Sequence, residues 1–207
     1  MKRYIRRIVS VVDTKVKKKV FTILAGVNGV GKSSAMGILR TTSESYGAII
    51  DPDDYAIKYG GNIKGGKEAL KDIEYCIENG FAFTEETTLS GKHIIATAKK
   101  AKEHGYTINL IYIGLNSAQD SIDRVANRVK HGGHDIPSET IIRRYNHRFE
   151  QLSKILDYCD TAKFYDSSNG YQLVAVYNRI SNTMDQTTST PPEWLSAFFD
   201  YIERIDG

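Results

Sequence analysis

Apolar runs of strand length alternate along this chain with segments whose apolar residues recur every three or four positions. The runs KVFTILA, YGAIID, FAFTEE, TINLIYIGL, AKFYDSS and YQLVAVY read as strands. Between them, KEALKDIEYCIENG puts Leu70, Ile73 and Ile77 on one helical face and stops at Gly80. SGKHIIATAKKAKEHG begins at Ser90, a capping residue type, and ends at Gly105. SAQDSIDRVANRVK opens on a capping-box-like pair, Ser117 and Asp120, and carries Ile122, Val125, Ala126 and Val129 as its apolar stripe. After Pro137 the spacing predicts one long helix from Ser138 through Ile141, Tyr145, Phe149, Leu152 and Leu156. A polar loop, 181–192, precedes a final amphipathic helix with Trp194, Leu195, Phe198 and Ile202. Strands alternating with crossover helices predict an α/β fold with a parallel sheet flanked by helices, and without internal repeats the 207 residues are expected to form one domain.

The first strand runs into AGVNGVGKSS, which is Gly26, four residues, then Gly31-Lys32-Ser33. This is the phosphate-binding loop pattern G-x-x-x-x-G-K-[ST]. Its glycines permit the backbone to turn consecutive N–H groups inward, and the following helix adds its N-terminal partial charge to the same concavity. Asn28, Gly29, Val30, Gly31, Lys32, Ser33 and Ser34 are the expected nucleotide cradle. Lys32 is the cation for the β- and γ-phosphates of ATP, and the Ser33 hydroxyl is the Mg²⁺ ligand. No strand ends in an apolar run followed by Asp (LIYIG ends in Gly114), which points away from motor ATPases and toward small kinases with the acid elsewhere.

A phosphotransferase needs a base beside the acceptor hydroxyl and cations around the γ-phosphoryl oxygens. IIDPDDYA puts Asp51, Asp53 and Asp54 at the carboxyl end of the second strand, where open α/β sheets bind ligands, with Pro52 read as making a turn. Asp53 is the expected general base, with Asp51 holding the turn and Asp54 on the surface. The third strand ends in Glu85, Glu86, Thr87 and Thr88, acceptors and hydroxyls suited to a polyol or sugar. Arg124 and Arg128 share one helical face, and Arg144 and Arg148 share another. With the Gly-hinged KHGGHDIP between them, residues 117–150 read as a lid closing on triphosphate. His131 and His134 are too few for a metal site and are expected to make loop contacts.

Charge changes the picture at one end. Lys2, Arg3, Arg6, Arg7, Lys15, Lys17, Lys18 and Lys19 stand against the single acid Asp13, giving a basic segment 1–19 within a chain of net charge +3. No aromatic interleaving accompanies it, so a solvated flank rather than a nucleic-acid arm is expected. Cys76 and Cys159 lack metal-ligand spacing and sit among apolar residues, which predicts buried reduced thiols. No apolar run is long enough to span a bilayer or form a signal peptide, so a cytoplasmic protein is expected.

Together, the phosphate loop, IIDPDDY, EETTLSG and R-x-x-x-R-x-x-x-G-G-H-x-I-P with the following RRY resemble the zeta-toxin family over roughly Phe21 to Asp166. The resemblance implies a P-loop kinase of a toxin–antitoxin system, whose best-known class phosphorylates UDP-N-acetylglucosamine, with an antitoxin protein as a partner. It matches Asp53 to the family's base, Lys32 and Ser33 to its phosphate and Mg²⁺ residues, Glu86 and Thr88 to its substrate-side element, and Arg124 to its first lid arginine. Arg128 or Arg144 would stand for the second. Ala56-Ile57-Lys58 replaces the arginine that usually follows the acidic turn, and Thr87 replaces the glycine between Glu86 and Thr88. A kinase of another metabolite, or a nucleotide-dependent binding module that needs no acceptor base, are the other classes the pattern admits.

Overall fold

The computed structural model describes residues 19–39 and 46–206; of the basic segment only Lys19 falls among them. In chain order the elements are β1 (Val20–Ala25), α1 (Lys32–Leu39), β2 (Ala48–Ile50), α2 (Pro52–Tyr59), α3 (Asn62–Asn79), β3 (Phe83–Thr87), α4 (His93–Glu103), β4 (Thr107–Gly114), α5 (Ala118–Lys130), α6 (Ser138–Asn146), α7 (Arg148–Leu156), β5 (Thr161–Asp166), β6 (Gln172–Asn178), β7 (Thr183–Gln186) and α8 (Glu193–Asp206).

The strands form one sheet in the order β2-β3-β1-β4-β5-β6-β7. The first five are parallel, and β6 and β7 return antiparallel along one edge. Successive side chains of a strand point to opposite faces, and the core divides accordingly. Phe21, Ile23 and Ala25 of β1, with Ile108, Leu110 and Tyr112 of β4, bury against α3, α4, α7 and α8. Leu24, Ile111 and Ile113 bury on the other face against Ala35 and Met36 of α1 and Tyr145 of α6. Helices on both faces leave the carboxyl ends of the parallel strands open, and β1 is central, so the phosphate loop emerges at mid-sheet.

Several elements differ from expectation. Residues 181–192 are not wholly loop, because β7 pairs with β6 through Thr183–Gln186. Its side chains are half-buried or exposed, so an edge strand held by backbone pairing carried no apolar signal. The stretch after Asp51 is a helix: Pro52 occupies its first turn, where a missing N–H costs nothing, and the Asp51 side chain caps it by accepting from the Asp53 amide at 2.9 Å. The buried stripe of α3 is Ala69, Ile73, Cys76 and Ile77, whereas Leu70 is 43% exposed. In α5 Val125 is buried, but Ala126 and Val129 face outward. The helix expected after Pro137 breaks at His147, where Arg148 donates to the Tyr145 carbonyl at 2.7 Å and lays its guanidinium over the rings of Tyr145 and Phe149. Ser90 does not cap α4, which has no side-chain cap; its hydroxyl pairs with Thr88 at 2.8 Å. Ser117 caps α5 as read, accepting from the Asp120 amide at 3.0 Å. Both cysteines are free and buried, and burial pushes each thiol up to about 12. Among the described residues no helix is long and apolar enough to cross a membrane.

Candidate active site

The loop between β1 and α1 wraps a concavity that only glycine backbones allow. Gly29 and Gly31 have φ of 76° and 86°, and a Cβ on Gly31 would lie 2.3 Å from the Tyr171 hydroxyl. Tyr171, at the start of β6, donates to the Gly31 carbonyl at 2.6 Å and so ties the loop to the far side of the sheet. The Lys32 ammonium folds back on the loop, donating to the carbonyls of Gly26 at 3.0 Å and Val27 at 3.4 Å. Burial lowers its pKa, while the nearby charges of Glu86, Asp51 and Asp53 hold it up.

Across the loop stands a cleft of about 610 Å³, a size typical of small-molecule sites. It brings together Asn28, Gly29, Gly31, Lys32, Ser33 and Ser34 of the cradle, Asp51, Asp53 and Asp54 of the α2 start, Glu86 and Thr88 after β3, and Arg124, Arg128 and Arg144 of the lid. Val30 is buried in the core beneath instead of lining the cleft. Asp54, expected on the surface, also lines the cleft. A second hollow of about 370 Å³ continues past Asp53 and Arg144 along the 134–137 loop, so Asp53 stands where the two meet.

Glu86, expected on the acceptor side, lies against the Ser33 hydroxyl, which reaches its two oxygens at 3.2 and 3.4 Å. Strand order explains this: β3 is the neighbour of β1 and pairs Leu24 with Glu86, which aims this carboxylate at the phosphate loop. Burial and the adjacent Asp51 push the Glu86 carboxyl up to about 7, against the opposing pull of Lys32 and Ser33. A half-buried carboxyl group beside a serine hydroxyl at the phosphate loop is an all-oxygen donor set that fits Mg²⁺ sharing phosphate ligands. Among the described residues no three His, Cys, Asp or Glu side chains converge to hold a metal alone.

The lid arginines divide by environment. Arg144 donates to the Asn28 side chain at the loop tip, 2.9 Å away, and its charge meets Asp53. Arg124 donates to the Ser167 hydroxyl and carbonyl at 3.2 and 2.8 Å, in the turn between β5 and β6. Arg128 is engaged by the His134 carbonyl at 2.6 Å, which ties the 131–137 loop to α5. Arg148, paired by spacing with Arg144, is structural and lies under its aromatic neighbours.

Sequence reasoning missed Tyr171, Ser167 and His93, and it put Glu85 and Thr87 at the acceptor rim, whereas both are buried because alternate strand residues point into the sheet packing. The Glu85 side chain is fully buried, and its partner is the His93 ring, Nε2 to Oε1, at 2.6 Å. This hydrogen bond raises the His93 pKa against the lowering effect of burial. Leu89, in a left-handed conformation (φ 58°) and buried, turns the chain sharply after Thr88 and brings Ser90, Gly91 and His93 to the cleft wall. No local pattern announces any of these, since each contact is made by the tertiary fold.

A parallel sheet with the phosphate loop at its centre, a carboxylate on the loop serine, and acids facing arginines across one cleft define a P-loop small-molecule kinase. The chain belongs to the zeta toxin family, whose sequence model matches residues 68–179, from α3 through β6 and including the lid. The cradle and the Asp51–Asp54 turn precede the matched range. An uncharacterized protein of Haemophilus influenzae is 33% identical over 126 residues, covering 58% of this chain and 88% of that protein. The structure of the PezAT chromosomal toxin–antitoxin system of Streptococcus pneumoniae superposes with a TM-score of 0.62 at 16% identity, over 98% of this chain and 93% of that one. The AvrRxo1-ORF1:ORF2 complex with ATP gives 0.59 at 15% identity over 87% of this chain, which spans 63% of the matched one. At such identities these likenesses bear on the fold.

Proposed function

We propose that this kinase transfers the γ-phosphoryl group of ATP to a sugar hydroxyl of a nucleotide sugar such as UDP-N-acetylglucosamine. The observation that carries this is Asp53, which stands at the junction of two hollows and faces Lys32 and Arg144. Asp53 takes the proton of the acceptor hydroxyl as its oxygen bonds to phosphorus. The bond to the β–γ bridging oxygen breaks, and that electron pair leaves on ADP. Lys32 exchanges its carbonyl partners for the β- and γ-phosphate oxygens. Arg144, rather than Arg128, joins Arg124 over the transferring group, because Arg144 rests on the phosphate-loop tip at Asn28 and meets the charge of Asp53, whereas Arg128 is held on the His134 carbonyl. Thr88 holds the acceptor at the rim. Ser33 and Glu86 would hold Mg²⁺, which supplies neutralising charge to the phosphate oxygens when bound.

The family and the PezAT likeness support an antitoxin protein as the partner that keeps the kinase in check, and the need for ATP fits a cytoplasmic protein. The test is to incubate purified protein with ATP, Mg²⁺ and a panel of nucleotide sugars, and to look by mass spectrometry for an added phosphoryl group. Phosphorylation of another class of metabolite, with every nucleotide sugar untouched, overturns the acceptor assignment.

A further inference from the structure

We propose that His93, held by the buried carboxylate of Glu85, binds an anionic phosphate group of the acceptor at the start of α4. This rests on the nucleotide-sugar reading above. Charge raises the question first. The acceptor side of the cleft carries Asp51, Asp53, Asp54 and Glu86, and an acceptor bearing a diphosphate needs a cationic or N–H-rich surface there. Lys32, Arg124 and Arg128 line only the hollow at the phosphate loop, and Arg144 stands between the two hollows. On the segment after β3, His93 lines the cleft, whereas its exposed neighbour Lys92 does not.

Three independent features point the same way. The Glu85 carboxylate is fully buried, its Oε2 has no hydrogen-bond partner, and Oε1 meets only His93. A lone buried carboxylate demands a proton donor, so Nε2 carries the proton and the ring's orientation is set from below. Nδ1, on the other side of the ring, has no partner among the described residues and lies beside Gly91. A Cβ at that position would stand 2.7 Å from Nδ1, so glycine keeps this atom uncovered. Finally, α4 begins at His93 without a side-chain cap, because Ser90 pairs with Thr88, and its first N–H groups remain available for an anion. In the imidazolium form, which the Glu85 hydrogen bond favours, Nδ1 also carries a proton, and ring and helix start then offer convergent donors on the wall of the same cleft as Asp53.

The test measures equilibrium binding by calorimetry with the phosphate loop saturated by Mg²⁺ and a non-hydrolysable ATP analogue. His93→Gln removes the imidazole, and Gly91→Ala crowds Nδ1, because its Cβ would stand 2.7 Å from that atom and the ring must shift away from the cleft. Each is expected to weaken UDP-N-acetylglucosamine binding about tenfold or more, the worth of one hydrogen bond to a charged group, while uncharged N-acetylglucosamine binds as in the wild type. Unchanged affinity for the nucleotide sugar in both variants overturns the proposal. If the wild type binds and phosphorylates no nucleotide sugar, the acceptor reading fails separately, and inorganic pyrophosphate decides the role of His93 under the same saturation. Pyrophosphate binding that both variants weaken sustains that role. Equal binding, or none by the wild type, overturns it.

Discussion

At the scale of single residues, the site rests on carboxylates in different surroundings. Asp53 is exposed at the cleft junction, whereas burial and the neighbouring Asp51 push the Glu86 carboxyl up to about 7. Asp53→Asn should therefore bind Mg²⁺·ATP with near-normal affinity and transfer phosphate at least ~10² more slowly, while Lys32→Ala loses transfer with its fold intact. Single-turnover kinetics beside circular dichroism check both, and full activity in Asp53→Asn would pass the base role to Asp51 or Asp54. Glu86 makes the pH dependence. Its carboxyl is raised from an ordinary 4.5 to about 7, so the free protein holds this proton below neutrality, and binding of Mg²⁺·ATP must release it. Affinity for Mg²⁺·ATP is expected to fall as pH drops below about 7, with proton release measured by calorimetry in buffers of different ionisation enthalpy, and Glu86→Gln should flatten the slope. The sign for stability is opposite: the raised pKa favours the folded free protein most below 4.5, and that contribution is lost as pH rises to about 7.

At the scale of elements, α2, α5 and α6 hold the acids and arginines proposed to act in transfer. The Asp51 cap orders the first turn of α2 and with it Asp53. Asp51→Ala should cost about 1 kcal/mol in urea denaturation, and lower kcat by more than that small loss of folded protein explains. In the lid, Arg144→Ala is expected to reduce kcat by roughly 10³, by analogy with other arginines on transferring phosphoryl groups. Arg128→Ala should cost far less, because its guanidinium closes a loop. Steady-state rates at saturating ATP compare them directly, and the reverse ranking would exchange the two roles. The lid also shows where sequence patterns stop. Apolar spacing ran unbroken from Ile141 to Leu156, yet the helix breaks at His147, because the Arg148 side chain competes for the Tyr145 carbonyl. Strands built from buried apolar runs were readable, but β7, polar on an edge and held by its backbone, was not.

Across the whole molecule, the phosphate loop and the acids after β2 could be read from local pattern, since their chemistry is written in contiguous residues. The Glu86–Ser33 contact spans 53 positions and depends on β3 lying beside β1, an ordering no periodicity encodes. The Arg144–Asn28 contact spans 116 and required the lid to fold over the sheet. The two cysteines report on that global packing. Cys76 and Cys159 sit fully buried in one core cluster, so a thiol reagent should label both slowly and at one shared rate set by cooperative opening. Much faster labelling of one would mark a part that opens alone.

In this structure the Lys32 ammonium and the Arg144 guanidinium both rest on oxygens of the phosphate loop itself. An arriving triphosphate must take these donors from partners they already have, so its net affinity is a difference between two sets of contacts. Encounter and accommodation become separate events: collision rises with ATP concentration, but release of the internal contacts does not. The rate of productive loading then levels off at high ATP, and the tempo of the enzyme belongs to its own side chains instead of to the supply of fuel.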